Sequence, residues 1–176
     1  QMEGTATNST RAYRKSSTYN ADFNFFLDHM DEWVKGTTLP FPKSLEVASQ
    51  SADVSEAKTK GYQISGLLLP SLASSLEKAA RRAGRSRVTQ AALAVERYRL
   101  AHKNALPASL GELAPQFIDP LPADPFDGQP LRYTKASPKG FVIYSIGKDR
   151  KDGGGTPRPT GAKTDQPDDL TFAVRR

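Results

Sequence analysis

The sequence predicts an α+β fold in which helices come first and a small antiparallel sheet follows. Three observations carry that expectation. The stretch from Gln63 to Asn104 keeps a helical pattern with few breaks. Two short β-prone runs, Leu131 to Thr134 ("LRYT") and Phe141 to Ile146 ("FVIYSI"), read as a hairpin, and Leu170 to Val174 ("LTFAV") supplies a third strand. The connection between helices and hairpin, "DPLPADPFDGQP", holds four prolines and Asp127-Gly128, which mark an ordered, turn-rich segment.

Composition narrows the field further. A chain of 176 residues, 37% hydrophobic and 25% charged, fits one soluble domain with an appended segment and a modest core. It has no cysteine, which excludes disulfides, thiolate metal sites and cysteine nucleophiles. His29 and His102 lack metal-ligand spacing, so a histidine-rich zinc or iron site is not expected. The apolar run Leu67 to Leu69 stops at Pro70, far short of a bilayer span, and no transmembrane segment is expected. The chain opens on Gln1, as a processed or excised piece would. Its net charge of +6 suits an acidic partner.

Taken in order, residues 1–19 read as a disordered lead-in, rich in serine, threonine and asparagine. Residues 20–62 form a helical N-terminal segment, and 63–176 a domain of one long helix plus a three-stranded sheet. Asn20 is an N-cap candidate with Asp22 in the first turn. Phe23, Phe26, Leu27, Met30 and Val34 then follow at helical spacing beside Trp33, an apolar stripe expected in the core, and Lys35-Gly36 closes the element. Pro40 and Pro42 mark a turn, and a weaker helix is expected over Lys43 to Ala57. In the long helix Pro70 is a start or a kink and Gly84 a bend. Val88, Ala91, Ala92, Val95 and Tyr98 mark one buried face, and Leu93 and Leu100 a second. "SLGE", Ser109 to Glu112, has capping-box spacing for a short helix to about Phe117.

The stretch "SGLLLPSLASSLEKAARRAGRSRVTQAALAVERYRLAHKNALPASLGEL" resembles the distal half of the long N-terminal helix of type IV pilin-like proteins and pseudopilins. The tail, "LPADPFDGQPLRY" through "GFVIYSIGKDRKDGG" to "DDLTF", resembles the C-terminal sheet of the major pseudopilin of type II secretion. The resemblance covers roughly Ile64 to Val174. It implies a non-enzymatic protein of the cell envelope, on its periplasmic or extracellular face, with protein partners in secretion or surface assembly. It also implies a calcium-binding loop. By family position Asp149 and one of Asp168 and Asp169 are the ligands, with Asp152 a third and carbonyls from Ile146 onward as further oxygens. Calcium takes six to eight oxygens in a flexible arrangement, and Gly153 to Gly155 free the backbone to turn carbonyls inward. A solvated turn, its charge offset by Lys148, Arg150 and Lys151, is the alternative reading of the same residues.

The chain departs from the family in three ways. No prepilin cleavage site or apolar helix half precedes Leu67, Arg150 stands where the family has glycine, and the loop from Gly153 to Gln166 is longer. A second expectation follows, that of an accessory or binding domain of a larger envelope protein. The basic run Lys78, Arg81, Arg82, Arg85 and Arg87 lacks aromatic interleaving and reads as a solvated face or a partner surface, with nucleic acid unexpected. "GTPRPTGAKT" fails as a phosphate loop, because Pro157 and Pro159 delete amides that would cradle phosphate. "SLEK", Ser75 to Lys78, has no companion motifs of a serine acyl-enzyme. Glu96 and Glu112 read as a surface and a capping group. An enzyme is not expected.

Overall fold

The computed structural model describes residues 10–51, 53–137, 140–156 and 168–175. These form an α+β fold with helices α1 (Thr18–Thr37), α2 (Lys43–Ser51), α3 (Ser55–Thr59) and α4 (Gln63–Ala101), a 3-10 turn at Leu110–Leu113, and strands β1 (Arg132–Lys135), β2 (Phe141–Ser145) and β3 (Leu170–Val174). The chain divides into two compact units, Gln1–Leu76 and Glu77–Arg176, so the division falls inside α4 and not at its start.

The N-terminal unit is organised around a carboxylate. The first N–H groups of a helix have no partner within it, and its positive dipole end favours a negative charge. Asp22, fully buried on α1, meets both needs at the start of α4. It accepts from Ile64 N at 2.7 Å, from Ser65 N at 3.0 Å and from the Ser65 hydroxyl. Tyr13 donates its hydroxyl to the same carboxylate and accepts from Gln63 N at 3.1 Å. Asn20 is thus not the N-cap and Asp22 not in the first turn of its own helix: α1 starts at Thr18, and the cap position is Ser17, without a side-chain bond. Residues 10–14 are helical and Tyr13 is engaged, so part of the expected disordered lead-in is ordered; residues 1–9 lie outside the described residues.

Fixing Asp22 inward sets the rotation of α1 and corrects the core expectation for its stripe. Gly36 is buried on α1, where a Cβ would stand 2.4 Å from Val47 Cγ1 of α2. Phe25 stacks on His29 and meets Tyr62 edge-on. Phe26, Met30 and Trp33 are half-buried, whereas Phe23, Leu27 and Val34 are exposed. The expected single helix over Lys43 to Ala57 is instead α2 and α3, and Asp53 leads into the second with an Asx turn, accepting from Ser55 N at 2.9 Å. Pro70 neither starts nor breaks α4.

In the C-terminal unit the second half of α4 packs on the sheet. Val88, Ala91, Ala92 and Val95 bury their spacing-predicted face with Leu106, Leu113, Leu131, Phe141 and Ile143, and Tyr98 packs at the margin. Small alanines let the strands lie close to the helix axis, and each buried phenylalanine or isoleucine contributes about 1.5–3 kcal/mol. The expected second buried face is absent: Leu93 is 61% and Leu100 70% exposed. The helix passes them on its solvent side, away from the single sheet. Gly84 lies inside α4 and is buried. It makes room for Leu170, whose Cδ1 would lie 2.7 Å from an added Cβ. At the C-terminus Lys103 and Asn104 take positive φ (52° and 68°), and the helix stops at Ala101.

The sheet order is β1-β2-β3, antiparallel throughout, with Tyr133 opposite Ile143 and Ile143 opposite Phe172. Phe141 and Ile143 face the helix; Val142 and Tyr144 face the other way, where Gly155 covers them, its absent Cβ 3.0 Å from both side chains. The strand bounds shift by one residue from those expected for the hairpin, and the turn residues Pro138 and Lys139 lie outside the described residues. The capping box is also corrected. Ser109 makes no cap bond; Glu112 instead accepts from Ala108 N at 3.1 Å and from Tyr98 Oη at 3.0 Å, and the element is one 3-10 turn.

Candidate functional site

Asp124 anchors the turn-rich connection. Its side chain is fully buried and accepts four bonds: Phe126 N at 3.0 Å and Ser145 Oγ at 2.9 Å on Oδ1, and Ile146 N and Arg132 Nη1 at 2.9 Å on Oδ2. One carboxylate therefore joins the turn, the first strand and the end of the second. Arg132 also reaches Asp127 at 2.5 Å. Burial works against the charge of Asp127, but bonds from Arg132 and Gln129 N outweigh it and hold the carboxyl below its ordinary value. Bonds from the residue two ahead, at Asp124 and at Asp127, are Asx turns, the one local signal that could have singled these residues out.

The end of β2 leads into the aspartate loop. Asp169, just before β3, is buried and gathers that loop: Gly155 N at 2.8 Å and Thr156 N at 3.1 Å on one oxygen, Gly153 N at 3.4 Å on the other. Thr171 Oγ1 donates to Gly155 O at 3.0 Å and fastens the same segment. Burial raises the Asp169 carboxyl above its usual value, the loop amides lower it, and the nearby charge of Asp152 raises it again. Asp152 accepts from Tyr144 Oη at 2.9 Å and from Gly154 N at 2.9 Å. Burial, with the Asp152 carboxylate beside it, pushes the Tyr144 hydroxyl up to about 12.

The other two predicted aspartates are engaged differently. Asp168 is buried and pairs with Arg81 of α4 through Oδ2, while its Oδ1 has no donor. Its backbone carbonyl would stand 2.1 Å from a Cβ at Gly147, which takes φ +71°. Asp149 accepts from Lys151 N at 3.3 Å within its own turn. The structure thus brings Asp152 and Asp169 together, sets Asp168 against the helix, and holds Asp149 in a local turn. Among the described residues no group of three or more histidine, cysteine, aspartate or glutamate side chains is arranged to hold a metal ion. Most of the long loop, including Pro157, Pro159 and the rejected phosphate-loop sequence, lies outside the described residues.

Two cations of the basic run are structural. Arg81 pairs with Asp168, and Arg87 Nη1 donates to Ala123 O at 2.8 Å. Ser75 donates to Ser71 O at 2.9 Å, and each histidine sets Nδ1 against a backbone carbonyl one turn back. Among the described residues no helix is long and apolar enough to cross a membrane. Comparison of the chain with protein-family models, with curated proteins and with solved structures finds no match.

Proposed function

We propose that the chain carries a pseudopilin-like, non-enzymatic module of the cell envelope, working through protein contacts in a secretion or surface assembly. The observation behind this reading is the order of parts: long helix, Asp-Pro turn, hairpin, aspartate-and-glycine loop, closing strand. A loop fastened to the closing strand through Asp169 supports the reading.

In this reading the loop takes a structural calcium ion. The donor set suits a hard cation, since it offers oxygens alone. Asp152 and Asp169 bring two carboxylates together, and burial with the neighbouring charge raises the Asp169 carboxyl above its usual value, a cost to the charged form that a divalent cation would offset. Asp152 and Asp169 would hold the ion with backbone carbonyls, and Asp149 and Asp168 are the further ligands that the resemblance names. Bound calcium would tie the loop to the sheet and lower its closure entropy.

The test is thermal unfolding with and without calcium. Millimolar calcium is expected to raise the melting temperature, and Asp149→Ala and Asp169→Ala to abolish the rise. Titration calorimetry showing no binding at millimolar calcium refutes the ion. A second reading, an accessory domain of a larger envelope protein, draws on the helical unit Gln1–Leu76, which stands where pilins carry an apolar helix half. The coding sequence upstream of Gln1 separates the two: a prepilin site with an apolar helix supports the first, a long soluble region the second.

A further inference from the structure

A groove of about 320 Å³ opens between α4 and β3. Its apolar part is Val88, Leu170 and Phe172. Phe172 sits opposite buried Ile143 and so belongs to the helix-facing side of the sheet, yet it is 38% exposed. β3 is an edge strand, and among the described residues nothing pairs with its outer side. Such an edge presents a row of N–H and C=O groups open to another strand.

The charged groups of the groove are met unequally. Arg85 is exposed and, among the described residues, has no acid within ion-pair reach, unlike Arg81 one turn before it. Asp168 and Asp169 line the same groove but are buried, the first paired with Arg81 and the second with loop amides, which leaves Arg85 as its exposed charge. A small anion would satisfy Arg85 alone. An extended peptide would meet both Arg85 and the open strand edge: its backbone pairs with the edge, and an acidic side chain answers Arg85. Side chains two residues apart share a face, so the acid that meets Arg85 and the apolar side chains that meet Phe172 and Val88 stand at every second position, all toward α4.

We infer that the groove between α4 and β3 docks an extended acidic segment of a partner protein, added as a strand to the free edge of β3. The inference stands on this groove alone and does not depend on the pseudopilin reading or on calcium. The net charge of +6 favours encounter with such a segment, and Arg85 selects its register.

The experiment is fluorescence anisotropy of the full chain with labelled hexapeptides that carry valine, glutamate and valine, or valine, lysine and valine, at every second position with serine between them. The glutamate peptide is expected to bind below about 1 mM and the lysine peptide about tenfold or more weakly. Arg85→Gln should erase the preference and Arg85→Glu invert it. Arg82→Glu, a charge reversal on the same helix outside the groove, should leave the order of the two peptides unchanged. Methylating alternate peptide nitrogens should remove binding, because it removes the strand donors. Circular dichroism confirms that the Arg85 variants fold, as their exposure leads one to expect. Equal binding of the two peptides, indifference to Arg85 or to N-methylation, or no binding up to about 1 mM overturns the inference. So does equal displacement by a short oligonucleotide, which would mark a generic anion surface.

Discussion

Replacing Asp124 with alanine removes the acceptor of four donors in three segments at once. Arg132 keeps Asp127 as a partner, but Phe126 N, Ser145 Oγ and Ile146 N lose theirs inside the protein. An unsatisfied buried donor costs about 1–3 kcal/mol. Water entering the vacated space would satisfy part of the set, which brings the expected loss to about 4 kcal/mol. That is a large share of a domain stability of about 5–15 kcal/mol. For a chain of this size it corresponds to a fall in melting temperature of about 8–16 °C. Asp124→Asn should cost nearly as much, since it turns one oxygen into a donor facing Ile146 N and Arg132. Urea titration followed by circular dichroism gives the loss, and amide exchange at Ile146 locates it. A loss below about 1 kcal/mol for Asp124→Ala, with Ile146 still protected, would refute the reasoning.

Asp22 makes the equivalent prediction for the N-terminal unit. Burial opposes its charge, but bonds from Ser65, Tyr13 and Ile64 prevail and keep its carboxyl below the ordinary value. A depressed folded value gives stability that is complete above the unfolded value of about 3.9 and is lost as pH falls through the folded one. Asp22→Asn should therefore lower stability at neutral pH and flatten its acid limb in a circular-dichroism titration. Gly84→Ala should cost about 1–3 kcal/mol by pressing on Leu170, and Gly147→Ala more, since it meets a backbone carbonyl at a positive φ. Tyr133 and Tyr144, pushed up to about 12 by burial, should ionise last in a tyrosinate absorbance titration. The stability they lend is complete below about pH 10 and disappears as pH climbs through the folded values.

Periodicity exposed what depends on neighbours along the chain. The buried face of α4 through Val88, Ala91, Ala92 and Val95 followed from spacing, and so did the three strands. The same rule misplaced Phe23, Leu27 and Val34, because the rotation of α1 is set by a polar residue whose partners lie 42 and 43 residues away. It misplaced Leu93 and Leu100 because a pattern says that a face is apolar, not that something covers it. At the candidate site, glycines and aspartates were visible as composition, but their division of labour was not. Arg81 and Asp168 are 87 residues apart, and only the fold reveals them as a pair.

The outer face of the sheet has one further consequence. Val142 and Tyr144 lie under Gly155, and the segment above them hangs on three amides that share the Asp169 carboxylate and on the Thr171 hydroxyl. Such a cover detaches as a piece when Asp169 is lost or the glycine stretch is cut. A protease clip between Gly153 and Gly155 would then bare a tyrosine and a valine side by side, turning a closed surface into an adhesive one without unfolding the helix beneath.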